Sequence, residues 1–265
     1  MKNEDTELMV ERMENRIEPE SRFNPELIEE LEKTSLLIDQ EKVILLLTLM
    51  GEKPAAHHGL LLKFGAEQES NEKKFIAEKQ FLTEWLQKAG LIFSVKDKTI
   101  RGGVRGDFKP TAKVCNFHIS RDKAALERLN HAHSKSELGL ALGYPTTAVE
   151  AYLKGQEFLI KEQDLPFDIR SSEVMDFLFF RLSKEHWAEE LETVKRWAKA
   201  IKDNFPDFYQ QVIDLRPKID ALRSENPEGF QQLLRSEEKM AIVKQRDPEL
   251  YQELQKEKEM IKRSD

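Results

Sequence analysis

Cysteine, glycine and proline are scarce in this sequence, and each scarcity excludes a class of protein. The single cysteine, Cys115, permits no intrachain disulfide, which excludes a small secreted scaffold held by disulfides. Only 11 glycines and 10 prolines occur among 265 residues, a low usage that favours long helices. With 39% apolar and 34% charged residues, the chain suits one large or two small domains with a strongly charged surface.

Long apolar stretches are also missing. The longest, 43–50 (V-I-L-L-L-T-L-M), would rise only about 12 Å as a helix, far less than the about 30 Å of a bilayer core. The acidic start, M-K-N-E-D-T-E-L, has no apolar signal core. We therefore expect a cytoplasmic protein with no membrane partner.

The sequence signatures of common enzymes are absent as well. None of H-E-x-x-H, G-x-S-x-G, G-x-x-x-x-G-K and G-x-G-x-x-G occurs, and no glutamate stands three residues before a histidine. These absences disfavour conventional hydrolases, P-loop enzymes and dinucleotide enzymes. We expect a protein that has no cofactor and is not catalytic, while an enzyme without a known motif stays open.

The charge of the chain is acidic overall but unevenly distributed. The net charge is −7, whereas a protein that binds nucleic acid over its whole surface is normally basic. Residues 1–30 contain four Lys/Arg and ten Asp/Glu, a net of −6, and residues 1–24 read as a flexible acidic arm. Residues 88–123 contain nine Lys/Arg and three Asp, a net of +6, so any contact with a polyanion must be local.

Hydrophobic periodicity predicts a mainly α fold with one small antiparallel β hairpin or sheet near residues 91–119. Asn24-Pro25 is typical of a helix start, and this helix is predicted to run to residue 50. A second helix is predicted over 72–89. The segments 91–95 and 113–119 are β-branched and aromatic, which is typical of strands.

The C-terminal part is predicted to be all-helical. A long helix is expected from residue 171, with an apolar stripe from Trp187 to Ile201, followed by two or three helices near 207–223, 227–244 and 248–262. Because the last forty residues have few large apolar groups, these helices are expected to cover a partner or each other. The predicted division is an acidic arm over 1–24, a mixed domain over 25–165 and a helical region over 166–265.

The segment 134–155, S-K-S-E-L-G-L-A-L-G-Y-P-T-T-A-V-E-A-Y-L-K-G, has the pattern of a helix-turn-helix. A glycine allows the two helices to cross closely, and a second glycine turns the chain. Ser134 and Glu137 are predicted to form a capping box for the first helix. The structural positions of the pattern are filled by Leu138, Gly139, Leu142, Gly143, Tyr144, Pro145, Val149 and Tyr152.

Reading DNA would require cations on the outer face of the second helix. The outward positions of that helix are expected to be Thr146, Thr147, Glu150, Ala151 and Lys154, with a single cation among them. The helix pair therefore has the geometry of a DNA-binding motif but few of the cationic side chains that contact DNA, so DNA binding by this pair is disfavoured.

The same residues resemble a segment, E-[IL]-G-x-x-L-G-Y-P-x-x-x-V-x-x-[FY], of bacterial helical proteins whose role is not established. Lys53-Pro54-Ala55 is similar to a K-P-[AS] element of those proteins. The resemblance covers about twenty residues and implies a helical fold but no activity. Related motifs carry a cysteine pair where this chain has Thr146 and Thr147, so thiol chemistry does not transfer.

Two further groups of residues are candidate sites. The turn-rich, basic segment 96–123 could bind a phosphate or another ligand through Arg101, Arg105, Lys109 and Lys113, or it could be a solvated hairpin. Zinc is a weaker alternative at Cys115, His118, His131 and His133, because positions 115 and 118 point to opposite faces of a strand. His57 and His58 follow Pro54 at an expected helix junction, with no partner evident.

Two functions fit these observations. The first is a non-catalytic protein-interaction or adaptor protein that binds a protein partner or a second copy of itself. The alternative is a nucleic-acid-binding regulator that uses the helix pair 134–155 together with the basic segment 96–123.

Overall fold

The computed structural model describes residues 24–64, 68–102 and 109–264. Over these residues the fold is mainly α, with thirteen α-helices and one three-stranded antiparallel sheet, which confirms the predicted fold class. No helix in the described ranges combines the length and the apolar character needed to cross a membrane. Nearly all of the predicted acidic arm, residues 1–23, lies outside these ranges.

The chain divides into two compact units between residues 153 and 154. The predicted boundary lies later in the sequence, at residue 165. In chain order, the described elements of the N-terminal unit are α1 (Pro25–Lys33), α2 (Asp39–Met50), β1 (Ala55–Lys63), α3 (Gln68–Lys88), β2 (Ile92–Gly102), β3 (Lys109–Ser120), α4 (Lys123–Asn130), α5 (Lys135–Ala141) and α6 (Thr146–Lys154).

The C-terminal unit begins with short 3-10 turns and continues as helices. In chain order, the described helices are α7 (Phe167–Arg170), α8 (Trp187–Asn204), α9 (Pro206–Ile213), α10 (Arg216–Glu225), α11 (Pro227–Arg235), α12 (Glu237–Arg246) and α13 (Pro248–Ser264).

The long first helix predicted over 25–50 is wrong, because it is interrupted at 34–38. The Asn24 side chain caps α1 by accepting a hydrogen bond from the backbone N of Glu26, as expected of an Asn-Pro start. Thr34 then takes an extended conformation, and its hydroxyl accepts from the backbone N of Leu36. The interruption lets Leu31 and Leu37 both be buried.

The sheet has the order β1-β3-β2, and β1 is a strand that the periodicity did not predict. Its sequence, A-A-H-H-G-L-L-L-K, is poor in β-branched residues, which is why it lacks a strand signal. Antiparallel pairing with β3 aligns His57 with His118 and Leu60 with Cys115. His57 and His58 therefore lie within a strand and not at a helix junction.

The two faces of the sheet have different surroundings. On one face, α3 packs against β1 and β2 through Glu78 and Lys79, and the buried side chains of Leu60, Cys115 and Phe117 belong to this covered face. The other face meets the end of α4, where the Asn130 side-chain oxygen binds Ser94 on β2 and the paired His118 on the central strand β3. Farther along this same face, the side chain of Leu61 on β1 is 53% exposed.

The C-terminal helices form a core of their own, which corrects the expectation that they only cover a partner or each other. Although apolar side chains are few, α10 to α13 place them at one shared centre. The buried cluster contains Ile219, Phe230, Leu234, Met240, Val243, Leu250 and Leu254.

The helix predicted from residue 171 begins only at Trp187. A buried carboxylate, Glu190, accepts hydrogen bonds from both the backbone N and the hydroxyl of Ser183, each at 2.7 Å. The Ser183 hydroxyl in turn accepts from the backbone N of His186. These bonds hold 183–186 as a turn, so the helix cannot extend towards residue 171, while the predicted stripe through Leu191, Val194 and Ile201 is buried.

Candidate functional site

The helix pair of the N-terminal unit, α5 and α6, is joined by a tight turn at Gly143, whose φ of 78° is left-handed. A Cβ at Gly139 would lie 2.8 Å from Val149 Cγ2, so only glycine permits this crossing distance. The Ser134 hydroxyl caps α5 by accepting from the backbone N of Glu137. The Glu137 carboxylate accepts from the backbone N of His133, one residue earlier than a capping box requires.

The pair is anchored to the loop before β1 through Lys53 and Pro54. Buried Lys53 donates a hydrogen bond from Nζ to the carbonyl of Leu142 at 2.7 Å and lies 4.6 Å from the centre of the Tyr144 ring. Pro54 packs so closely on the turn that a Cβ at Gly143 would lie 2.5 Å from Pro54 Cδ. The K-P-A and L-G-Y-P segments are therefore two halves of one packed junction.

The outer face of α6 differs in part from the expectation. Thr146, Glu150 and Lys154 are exposed, but Ala151 is buried. Tyr152, assigned by the pattern to a packing position, is 44% exposed. The outward surface of the pair therefore has both apolar and polar side chains. Lys154 is the one lysine or arginine in α6, all of whose residues are described.

Of the four predicted phosphate-binding residues, Lys113 is the one whose side chain is described. Lys113 lies on the covered face, where its Nζ is 5.9 Å from the centre of the Phe75 ring on α3. Arg101 and Lys109 belong to β2 and β3 near the tip of their hairpin, and their side chains are outside the description. Arg105 lies outside the described residues.

A different set of cations lies on the face of the sheet away from α3, which we call the open face. The strand register places three lysines and two histidines on this face and no aspartate or glutamate. Its members are His57, Gly59, Leu61, Lys63, Ser94, Lys96, Lys98, Ile100, Ala112, Val114, Asn116 and His118. Lys63 and Lys98 are exposed, at the end of the sheet nearest the β2–β3 connection.

The histidines of the open face belong to a polar network. Asn130 Oδ1 accepts a hydrogen bond from Ser94 and makes one with His118 Nδ1, both at 2.7 Å, and Lys96 Nζ donates to the Asn130 carbonyl. His57 Nε2 lies 3.2 Å from the Asn116 side-chain oxygen. Burial lowers the pKa of both His57 and His118, so the positive charge of the open face comes from its lysines.

On the covered face, His58 lies between two carboxylates. Its Nδ1 is 3.3 Å from Glu41 Oε1 on α2, and its Nε2 is 3.5 Å from Glu78 Oε1 on α3. The His58 side chain is only 6% exposed, and its Nε2 makes no hydrogen bond. The sequence singled out His58 but gave no signal for Glu41 or Glu78, because both come from separate helices.

The four residues of the predicted zinc alternative are not brought together. Within the described ranges, the metal-ligating side chains that converge are Glu41, His58 and Glu78, and the alternative contributes none of them. Burial and the Asp97 carboxylate raise the pKa of the Cys115 thiol to about 12, so the thiol stays protonated. His118 and His131 each bind a neighbouring oxygen, on Asn130 and Glu127 respectively, and His133 donates its backbone N–H to Glu137.

Comparisons with known proteins give no relative to guide these assignments. No family model matches the chain, and neither a curated protein nor a solved structure is significantly similar to it.

Proposed function

We propose that this protein binds a nucleic acid, along its phosphate backbone, on the open face of the sheet. The observation that carries the proposal is the charge of that face, which has three lysines and no carboxylate in a chain of net charge −7. The proposed surface adds Lys63, Lys96 and Lys98 to the basic segment from which Arg101, Arg105, Lys109 and Lys113 were predicted.

The position of the lysines supports a continuous track. Lys63 pairs with Ala112, and Lys98 with Val114, so both lie towards the tip of the β2–β3 hairpin. The sequence of that connection contains Arg101, Arg105 and Lys109 with one acidic residue, Asp107, and so has a net charge of +2.

The composition of the open face also limits how it would recognise a nucleic acid. It has no Phe, Tyr or Trp, so it offers no aromatic platform on which bases could stack. We therefore expect contacts to phosphates, little sequence preference and a strong dependence on salt.

Fluorescence anisotropy with labelled RNA and DNA, single- and double-stranded, tests the proposal. The variant Lys63→Ala/Lys98→Ala should bind more weakly, and the slope of log K against log salt should fall by about two, one for each lost phosphate contact. The matched control is Lys73→Ala/Lys195→Ala, which removes two exposed lysines elsewhere in the chain. Absence of binding at low salt, or equal effects of both variants, would contradict the proposal.

A second candidate function is protein binding at the helix pair. Leu140 on α5 and Tyr152 and Leu153 on α6 are 45%, 44% and 50% exposed, which is unusual for large apolar side chains on one helix pair. Self-association through this surface is the simplest form of the proposal. Sedimentation equilibrium should show a dimer that Leu153→Ser weakens and Ile76→Ser, at the 55% exposed Ile76 on α3, does not. A monomer at all concentrations would exclude self-association.

A further inference from the structure

We propose that Glu41, His58 and Glu78 form a binding site for a divalent transition-metal ion of the zinc class. Each residue comes from a different element, α2, β1 and α3, so the site depends on the packing of both helices on the sheet. One ligand atom from each of the three side chains lies within 4.8 Å of the others.

The buried histidine is the first observation that points to a ligand. A buried ring nitrogen normally has a hydrogen-bonding partner, because burying a polar atom without one costs free energy. His58 Nε2 is buried and has none, and Glu78 Oε1 lies 3.5 Å from it. A metal ion between these atoms would satisfy both.

The position of the carboxylates argues against a simple ion pair with a protonated histidine. The two N–H bonds of an imidazolium point away from each other, so two oxygens bonded along them would stand roughly 8 Å apart at normal hydrogen-bond lengths. Here an oxygen of Glu41 and one of Glu78 lie within 4.8 Å of each other. The two carboxylates are therefore closer together than the two acceptors of one imidazolium would be, and their spacing is nearer to that of ligands around one ion.

The charge of the cluster also favours a cation. Among the described residues, no lysine or arginine forms an ion pair with Glu41 or Glu78, although both side chains are at least two-thirds covered. Glu41 is held in place because its Oε2 accepts a hydrogen bond from the backbone N of Ile38 at 3.0 Å. Two adjacent carboxylates without a basic partner are stabilised by a bound divalent ion.

One imidazole and two carboxylates are ligand types that favour zinc over magnesium or calcium. Zinc takes imidazole nitrogen and carboxylate oxygen at about 2.0–2.2 Å, which sets neighbouring ligands roughly 3.4 Å apart in a tetrahedron. The observed 3.5 Å between His58 Nε2 and Glu78 Oε1 is close to that value, and the Glu41 carboxylate, whose Oε1 is 3.3 Å from the other ring nitrogen, offers a ligand atom within 4.8 Å of the other two ligand atoms. An imidazole ligand disfavours Mg²⁺ and Ca²⁺, which prefer oxygen alone. Three protein ligands leave a fourth position for water.

Zinc titration of the full-length protein, after treatment with a chelator, tests this site. Competition with a chromophoric chelator should show one strong site, and Mg²⁺ should not compete for it. Glu78→Gln keeps the shape of the side chain and should weaken zinc binding by about tenfold or more, as loss of a ligand or of its hydrogen-bonding partner does at other zinc sites. The matched control is Glu84→Gln, at an exposed glutamate of the same helix.

Cobalt provides an independent readout. Co²⁺ should give the visible absorption bands of a tetrahedral site in the wild type and in Glu84→Gln, and these bands should be lost in Glu78→Gln and His58→Gln. Circular dichroism establishes that each variant is folded. Absence of a strong zinc site, or zinc binding that is unchanged in Glu78→Gln, would overturn the proposal, because zinc would then be held by other histidines or not at all.

Discussion

Lys53 is a charged residue in a buried environment, which its residue type seldom occupies. Its side chain is almost completely buried, and burial lowers the pKa of its ammonium group to about 7 from an ordinary value of 10.5. Its hydrogen bond to the Leu142 carbonyl and its contact with the Tyr144 ring offset part of the cost of burying a cation. A single side chain thus links the loop before β1 to the helix pair.

This environment predicts a dependence of stability on pH. Between the folded and unfolded pKa values of Lys53, the unfolded chain binds a proton that the folded protein does not, so stability rises with pH from about 7 upwards. From pH 7 to 9 the contribution of Lys53 is about 2 kcal/mol. Below pH 7 Lys53 is protonated in both the folded and the unfolded state, so the folded protein bears the full free-energy cost of burying the ammonium group.

The variant Lys53→Met removes this titration and should flatten the pH profile of the unfolding free energy by that amount. Urea unfolding at several pH values between 6 and 9.5 measures both profiles. Parallel profiles for the wild type and Lys53→Met would show that the ammonium is not the group responsible.

At the scale of elements, the crossing of α5 and α6 depends on a missing side chain. Alanine at Gly139 would place a Cβ within 2.8 Å of Val149 Cγ2, and the strain outweighs the better helix propensity of alanine. We expect Gly139→Ala to destabilise the protein by about 1–3 kcal/mol.

A substitution at Val149 tests whether the effect of Gly139→Ala on stability is due to the steric clash with Val149. Val149→Ala removes the methyl group that the new Cβ would meet, so Gly139→Ala should cost much less in the Val149→Ala background. Urea unfolding of the four proteins of this double-mutant cycle gives the coupling free energy. Additive effects would mean that the two positions do not restrict each other.

The elements that the sequence predicts well are those with local signals. Asn24, Asn226 and Asp247 each precede a proline and each begin a helix, because a side-chain cap needs only the next few residues. The apolar stripe of α8 is likewise a local pattern, and its members from Leu191 to Ile201 are buried.

The elements that the sequence misses depend on contacts between distant residues. β1 becomes a strand because it pairs with β3, and nothing in its own residues distinguishes it from a helix. The open face follows from the same pairing, since Lys63 and Lys98 lie on one surface only once β3 stands between their strands. The cluster at His58 needs α2 and α3 on the sheet as well, so periodicity could not reveal it.

At the scale of the whole molecule, the C-terminal unit contains what an independent fold needs. Its buried cluster lies within α10 to α13, and the starts of α11, α12 and α13 are capped by Asn226, Ser236 and Asp247 from the same segment. We therefore expect residues 154–265 alone to be helical and to unfold cooperatively, as measured by circular dichroism in urea.

The core of this unit provides the control. Leu254 is completely buried, and Leu254→Ala should destabilise the isolated unit by about 2–5 kcal/mol. A gradual, non-cooperative transition of residues 154–265, unchanged by Leu254→Ala, would mean that the unit requires the remainder of the chain to fold.

The strand order β1-β3-β2 has a consequence for biosynthesis. The ribosome releases β1 and then β2 before it has made β3, the strand that hydrogen-bonds to both. Neither outer strand has its complete partner until Ser120 has left the exit tunnel, so the nascent chain holds β1 and β2 with unpaired backbone groups while β3 is being made. Translation beyond that residue is therefore the step that commits the N-terminal half to its native arrangement, and a chain stalled before it is the species that chaperones would need to bind.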